Sequence, residues 1–413
     1  MKSESRALNV ICLATFFKGV DFIRECKRRG CRVVVVTREK WLQEDWPRDS
    51  IDDLFAVPND ASTEIFIDLI RFISQQNKVD RVVALEEFDV ILAAQIREHL
   101  CLPGMSSSGA NVFRDKWPMC LKAKAGGITV PDFAPLINRG ELVDFMEQVP
   151  APWIIKPRSD ASAIGMRKVE KPEDVWSAIE ELNARERLTE RASYYLLARF
   201  IPGEVFHVDS TVDNSRVVFA AANCYGRPPM QVAHGGGAYI SHTIAHGSAD
   251  QKRLFEINRR LIKAMGLKKG VTHAEFIKSP ADQDFYFLEI ASRVGGAYIA
   301  EVLEAASGVN LWREWARLEI AGEDSEKLPR SEKPRKDYAG IVLSLARQEY
   351  PNTSAYDDPE IVYRVKKKHH VGLIVRSPEL ERVTDLLDQY AQRFADDFIA
   401  VVPPLQRAEE AQT

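Results

Sequence analysis

The sequence predicts an α/β domain with a parallel sheet, followed by a strand-rich region that contains a hairpin and by a small α+β unit. Three observations lead there. Strand and helix patterns alternate over the first hundred residues, strand-like stretches dominate from Tyr194 to Ile290, and a hairpin pattern centred on Asp282 carries a glutamate in each arm.

The alternation begins with a buried strand at residues 8–14 (LNVICLA), a helix over 18–30 that stops at Gly30, and a second buried strand, Arg32 to Thr37. A helix from Ile65 to Asn77, a strand from Arg81 to Leu85 and a helix from Phe88 to Leu100 continue it. The first strand–helix turn, Thr15 to Gly19, holds one glycine and is not a dinucleotide fingerprint. These hundred residues are expected to shape one wall of a substrate cleft.

Leu102-Pro103-Gly104 breaks the pattern, and a helix from Arg114 to Ala125 ends at Gly126-Gly127. Pro150 to Lys156 reads as a strand, followed by the small, polar stretch 157–165 (PRSDASAIG) and a helix from Val175 to Leu188. Beyond residue 322 a charged stretch reads as a surface linker. It leads to a small α+β unit with strands near Ile341, Ile361 and Gly372 to Val375 and a helix from Glu379 to Arg393. The expected units are 1–105, 106–192, 193–322 and 323–402, with a tail at 403–413.

Composition limits the functions available. A chain of 413 residues exceeds one ordinary core, which stops growing near roughly 250–300 residues. With 45% apolar and 28% charged residues and a net charge of -4, disorder, a fibre and a polybasic nucleic-acid binder are excluded. Six cysteines without a Cys-x-x-Cys pair fit a reduced, cytoplasmic setting better than a zinc site or a disulfide framework. Lys2, Arg6 and the apolar run to Phe17 lack a signal-peptide cleavage pattern, and no stretch of 18 apolar residues predicts a membrane span.

The chemistry concentrates in the hairpin. If Thr272 to Lys278 and Phe285 to Ile290 pair symmetrically about Asp282, Glu275 and Glu289 oppose each other, and alternation puts His273, Glu275, Phe287 and Glu289 on one face. Two carboxylates about 5 Å apart repel by roughly 3 kcal/mol at an effective dielectric of 20. A magnesium ion shared with phosphate oxygens would offset that. On spacing alone a solvated glutamate pair is an equal reading. Immediately after the second strand come Arg293-Val294-Gly295-Gly296.

The run from Glu289 to Gly296 resembles the signature of the ATP-grasp superfamily, in which a metal-binding glutamate precedes an arginine and a glycine pair. The resemblance extends over roughly residues 8 to 320 and is strongest to the carboxylate–amine ligase and biotin-carboxylase-like group. It implies an N-terminal α/β domain (the preATP-grasp domain), two α+β subdomains clasping ATP, and Mg2+ (or Mn2+) on Glu275 and Glu289. Lys116, in Arg114-Asp115-Lys116, and Lys156, ending a strand, resemble the two phosphate-binding lysines, and Ser159, Ser162 and Gly165 the phosphate-covering loop. Arg199, Phe200 and Ile201 resemble the adenine-facing hinge, and Glu204 the ribose ligand. Ala291 stands where the family's usual pattern has an asparagine, which removes one metal ligand.

The implied activity is an ADP-forming ligase. A substrate carboxylate is activated as an acyl phosphate, with Arg293 stabilising the carboxylate or its oxyanion, and an amine then displaces phosphate. Amino-acid or peptide-like substrates are expected. His207 and Asp209 alternate onto one face, to line the cleft or to serve structurally. His234, Gly295 and Gly296 are further candidates for the substrate site. Small-molecule carboxylate and amine partners are expected, with no nucleic acid and no membrane, and a homodimer is open. The alternatives are a bicarbonate-activating carboxylase and a non-catalytic ATP-binding protein.

Overall fold

The computed structural model describes residues 6–160, 165–230, 232, 237–322 and 333–400. The first unit runs β1 (Asn9–Leu13), α1 (Val20–Arg28), β2 (Arg32–Arg38), β3 (Asp53–Val57), α2 (Thr63–Gln76), β4 (Arg81–Ala84) and α3 (Val90–His99). Its strands form a parallel sheet in the order β3-β2-β1-β4. The uninterrupted apolar runs of β1 and β2 follow from that order, because central parallel strands are covered on both faces. Val10, Cys12, Val33 and Val35 pack with Phe22 and Ile23 of α1, and Ile11, Leu13, Val34 and Val36 with Phe66, Ile70 and Ile73 of α2. The sequence reading passes over β3, an edge strand whose residues are mostly half-buried and show neither a buried run nor alternation.

The second unit contains α4 (Ser107–Asn111), α5 (Lys116–Ala125), β5 (Phe133–Pro135), α6 (Arg139–Gln148), β6 (Trp153–Pro157), β7 (Arg167–Val169), α7 (Pro172–Asn183) and β8 (Tyr195–Arg199). Its antiparallel sheet has the order β5-β8-β6-β7. Asp115 caps α5, its carboxylate accepting from the Trp117 N–H, which fixes the helix start at Lys116.

The rest of the described chain forms β9 (Glu204–Asp213), β10 (Arg216–Tyr225), β11 (Tyr239–Thr243), α8 (Ala249–Met265), β12 (Gly270–Lys278), β13 (Phe285–Ala291), α9 (Ile299–Ser307), α10 (Leu311–Ala321), β14 (Tyr338–Leu345), β15 (Ile361–Arg364), β16 (His370–Ser377) and α11 (Leu380–Asp397). All eight strands belong to one antiparallel sheet, ordered β13-β12-β9-β10-β11-β14-β16-β15. The C-terminal stretch expected as a separate α+β unit therefore extends the sheet that carries the glutamate hairpin. It joins through β11 and β14, with Ser241 opposite Ile341. The linker at 323–332 and the tail lie outside the described residues.

Helix α8 is also absent from the sequence reading, although Ser248 caps it and Gly266 ends it in a left-handed conformation. Its apolar positions Leu254, Ile257, Leu261, Ile262 and Met265 pack beneath the hairpin with Ala274, Phe276, Phe285 and Phe287. This layer supports the glutamates from behind.

The hairpin departs from simple alternation. Lys278 pairs with Phe285 and Phe276 with Phe287, but Glu275 pairs with Glu289, so a bulge adds Leu288 to β13. Phe287 consequently faces the core with Phe276, their ring centroids 5.9 Å apart. The expectation that Phe287 shares a face with Glu275 and Glu289 is corrected: without the extra residue, the alternation that buries Phe287 would bury Glu289 too.

Candidate active site

Glu275 and Glu289 lie directly opposite each other on the edge hairpin. Each carboxylate already has a partner. The Tyr225 hydroxyl donates to Glu275 Oε1 at 2.7 Å, and His273 Nε2 lies 3.4 Å from the same oxygen. Lys116 Nζ stands 2.9 Å from Glu289 Oε2. The repulsion inferred from spacing is thus met inside the protein, and by itself does not call for a metal. What remains is one oxygen on each glutamate with no partner among the described residues. Two such oxygens on opposed strands suit a hard, oxygen-preferring divalent cation.

Lys116 and Lys156 are 8% and 6% exposed. Lys116 is the first residue of α5, where a cation opposes the helix dipole. Burial disfavours its charge, but Glu289 outweighs burial and raises its pKa. Lys156, inside β6, is different: burial and the ammonium of Lys116 lower its pKa and outweigh the opposing effect of Cys120 and Glu289, and no hydrogen bond or ion pair from a described residue reaches its Nζ. Two buried ammonium groups side by side, one of them without a hydrogen-bonded partner among the described residues, have the chemistry to bind an anion.

Beneath Glu275 runs a buried chain of proton-sharing groups. His207 Nε2 meets Ser241 Oγ at 2.8 Å, His207 Nδ1 meets Asp209 Oδ2 at 2.6 Å, and Asp209 Oδ1 meets His273 Nδ1 at 2.9 Å. Burial alone would lower the His273 pKa, but Asp209 and Glu275 raise it to about 10. Burial would raise Asp209 and Glu275, yet the imidazoles hold both below the usual carboxylate range. His207, Asp209 and His273 also have the composition of a metal site. Their contacts are too short for one: ligands about 2.0–2.1 Å from a tetrahedral ion stand roughly 3.3 Å apart. The cluster is a hydrogen-bond relay whose His273 end reaches Glu275 at 3.4 Å.

Arg293 follows β13 and reaches across to the first unit. Its Nε donates to Glu87 Oε2 at 2.9 Å and its Nη1 to the Val294 carbonyl at 2.9 Å. Glu87 Oε1 accepts from Arg114. Burial would raise the Glu87 carboxyl, but Arg293 and Arg114 together hold it down at about 2. Glu86 beside it is buried and paired with Lys18.

A family model described as the ATP-grasp domain matches residues 149–301, and one described as the ATP-grasp N-terminal domain matches residues 23–104. The chain belongs to the ATP-grasp superfamily. An L-arginine-specific L-amino acid ligase of Bacillus subtilis is 21% identical over 294 residues, covering 70% of this chain and 68% of that protein. The fold is shared with L-amino acid ligase from Bacillus licheniformis: TM-score 0.76 at 16% identity, over 96% of this chain and 99% of the other. It is also shared with N5-carboxyaminoimidazole synthetase from Staphylococcus aureus, solved with ADP: TM-score 0.68 at 16% identity, over 93% and 96% of the chains.

At the end of β8, the N–H groups of Arg199 and Phe200 donate to the carbonyls of Asp132 and Pro152, at 2.8 and 3.1 Å, while the Ile201 N–H has no partner among the described residues. Pro202-Gly203 turns the chain so tightly that a Cβ on Gly203 would stand 2.0 Å from the Lys278 carbonyl oxygen. Glu204 follows at the exposed start of β9, opposite Lys278. The Ser159 carbonyl accepts from Arg114 Nη2 at 2.7 Å. Gly165 adopts φ 71°. Ser162 and His234 lie outside the described residues.

Gly295 and Gly296 divide in role. A Cβ on Gly295 would lie 3.0 Å from both Asp209 Oδ1 and His273 Nδ1, whereas Gly296 has nothing within 4 Å. Several site residues escape the sequence reading. Ile277 and Leu288 pack with Ile201, Val205 and Tyr286 as an apolar wall, and alternation from Glu275 could have found Ile277. Tyr225 carries no local signal, since it reaches Glu275 from two strands away in the sheet. Among the described residues, no helix is long and apolar enough to cross a membrane.

Proposed function

We propose that the protein is an ATP-dependent, ADP-forming ligase that activates a substrate carboxylate and joins it to an amine. The observation that carries this is one constellation: two opposed glutamates, each with an oxygen unpaired among the described residues, beside a pair of buried lysines of which Lys156 has no hydrogen-bonded partner among them. Cation-binding and phosphate-binding groups side by side are what a metal–nucleotide complex requires.

A carboxylate oxygen of the substrate attacks the γ-phosphorus, the bond to the β–γ bridging oxygen breaks, and ADP leaves. The amine attacks the acyl carbon of the acyl phosphate, phosphate departs, and the amine proton passes to solvent. Lys116 and Lys156 bind and orient the phosphates. Arg293, a planar double donor, holds the carboxylate and then the oxyanion at the acyl carbon. Mg2+ (or Mn2+), held when present by Glu275 and Glu289, supplies charge neutralisation on the phosphate oxygens. The backbone of Arg199, Phe200 and Ile201 meets the adenine edge, Ile277 and Leu288 meet its face, and Glu204 meets the ribose. Ser159, Ser162 and Gly165 cover the phosphates, and the open surface at Gly296, with His234, faces the substrates.

The relative specific for L-arginine supports amino acids as substrates. The test is a phosphate-release screen with MgATP and pairs of amino acids or small acids. ADP and phosphate should appear in equal amounts only when a carboxylate and an amine are both present. Release that needs no acid, or bicarbonate alone as acid, refutes the reading.

A further inference from the structure

Two arginines converge on Glu87 from different parts of the fold. Arg293 comes from the end of β13 and takes Oε2; Arg114 comes from just before α5 and takes Oε1. Arg114 does more than pair. Its second nitrogen donates to the Ser159 carbonyl at 2.7 Å, and its guanidinium lies 4.9 Å from the centre of the Phe88 ring. Arg158, next to Ser159, is tied to Asp115 through Nε at 3.0 Å, and its carbonyl accepts from the Lys116 N–H at 2.8 Å. Lys116 Nζ in turn donates to the Asp160 carbonyl at 2.8 Å. The stem of the phosphate loop, 158–160, thus hangs from residues 114–116, and 114 hangs from Glu87.

We propose that Glu87 is a positioning residue that holds Arg293 and the phosphate-loop stem as one unit, so that the acyl end and the phosphate end of the site are set together. Its two oxygens are both committed, and each is bound to a guanidinium that has a further fixed contact: the Val294 carbonyl for Arg293, the Ser159 carbonyl for Arg114. Loss of the Glu87 charge leaves the buried Arg114 and the partly buried Arg293 without the carboxylate they both bind, and frees both ends. The part concerning Arg293 rests on the ligase reaction proposed above; the part concerning the loop rests only on its nucleotide binding.

The test is calorimetric binding of MgADP and of AMP to the full chain. Glu87→Gln should weaken MgADP about tenfold, the scale of one charge-assisted hydrogen bond, and leave AMP within about twofold, because AMP lacks the phosphate the loop covers. Glu87→Asp, which keeps the charge, should recover most of the loss. Arg114→Lys should match Glu87→Gln, and the double variant should be no worse than either single one. In the phosphate-release assay, Glu87→Gln should also raise the KM for the carboxylate.

MgADP affinity unchanged in Glu87→Gln overturns the proposal, as does equal weakening of MgADP and AMP, which marks general loss of structure. Multiplying effects of Glu87→Gln and Arg114→Lys overturn it too. A direct role of Glu87 in holding the amine substrate predicts no effect on MgADP at all. A wild-type protein that releases no phosphate with any acid refutes the ligase reading while leaving the nucleotide measurements to decide on Glu87.

Discussion

Substituting alanine at Gly295 and at Gly296 separates the packing of the relay from every other effect of losing a glycine. A methyl group on Gly295 would meet Asp209 Oδ1, His273 Nδ1 and Ile299 Cδ1, each at 3.0 Å. The isoleucine tip can rotate. The other two atoms cannot retreat freely, because they bond to each other at 2.9 Å, and Asp209 is also held by His207 at 2.6 Å. Overpacking of this kind costs about 1–3 kcal/mol. Around Gly296 there is no atom within 4 Å. Neither glycine has a positive φ, and both substitutions stiffen the unfolded chain equally, by about 0.4–1 kcal/mol, so the difference between the variants isolates the clash. Thermal unfolding is the assay. At roughly 2–4 °C per kcal/mol for units of 150–250 residues, Gly295→Ala should melt several degrees below Gly296→Ala. Equal melting of the two variants refutes the claim that Gly295 is there to seat the Asp209–His273 pair.

Two further outcomes are expected. Glu289→Gln should abolish phosphate release and remove the magnesium dependence of ATP binding, measured by titrating Mg2+ against bound nucleotide; an unchanged dependence sinks the assignment of this residue to the metal. Glu301, on α9, has its carboxyl raised from 4.5 to about 7 by burial, with Asp21 and Glu304 adding to it. The folded protein therefore keeps a proton that the unfolded chain gives up near 4.5. The stability this contributes is present below pH 4.5 and is lost as the pH rises through 7, a change of about 1–3 kcal/mol after allowance for partial exposure. Glu301→Gln should flatten the decline in melting temperature between pH 5 and 8, and parallel profiles for the two proteins would show the assignment to be wrong.

Much of the fold could be read from periodicity because burial is uniform along the elements concerned. Strands β1 and β2 are buried on both faces and show it as continuous apolar runs. The hairpin announces its turn with Ser279-Pro280-Ala281-Asp282, and its two glutamates do meet. Other features have no such signal. Strand β3 is a half-buried edge, and β14 to β16 join a sheet whose other strands lie far earlier in the chain, a pairing that local pattern does not encode. The relay is legible only in part: His273 and Glu275 alternate on β12, and His207 and Asp209 on β9, but their meeting depends on the β9–β12 register, His273 opposite Asp209 and Glu275 opposite His207.

The bulge at Leu288 shows why correct pairing and wrong facing can coexist in one hairpin. Symmetry about Asp282 brings Glu275 to Glu289, but the turn is shorter than that symmetry requires, with Lys278 opposite Phe285. The extra residue reconciles the two. It lets β13 bury Phe285 and Phe287 against α8 while Glu289 still faces Lys116. Core packing of Phe287 and the outward placement of Glu289 make opposite demands on a strand with a period of two, and one inserted residue satisfies both. The same reasoning explains what no local pattern can reveal about Arg293. Its partner, Glu87, lies 206 residues away in another unit, and its geometry is set only when the parallel sheet and the antiparallel sheet close on each other. The site is thus built from local strand chemistry at the glutamates and from interdomain ion pairing at the arginine, and the second part becomes visible only in the folded chain.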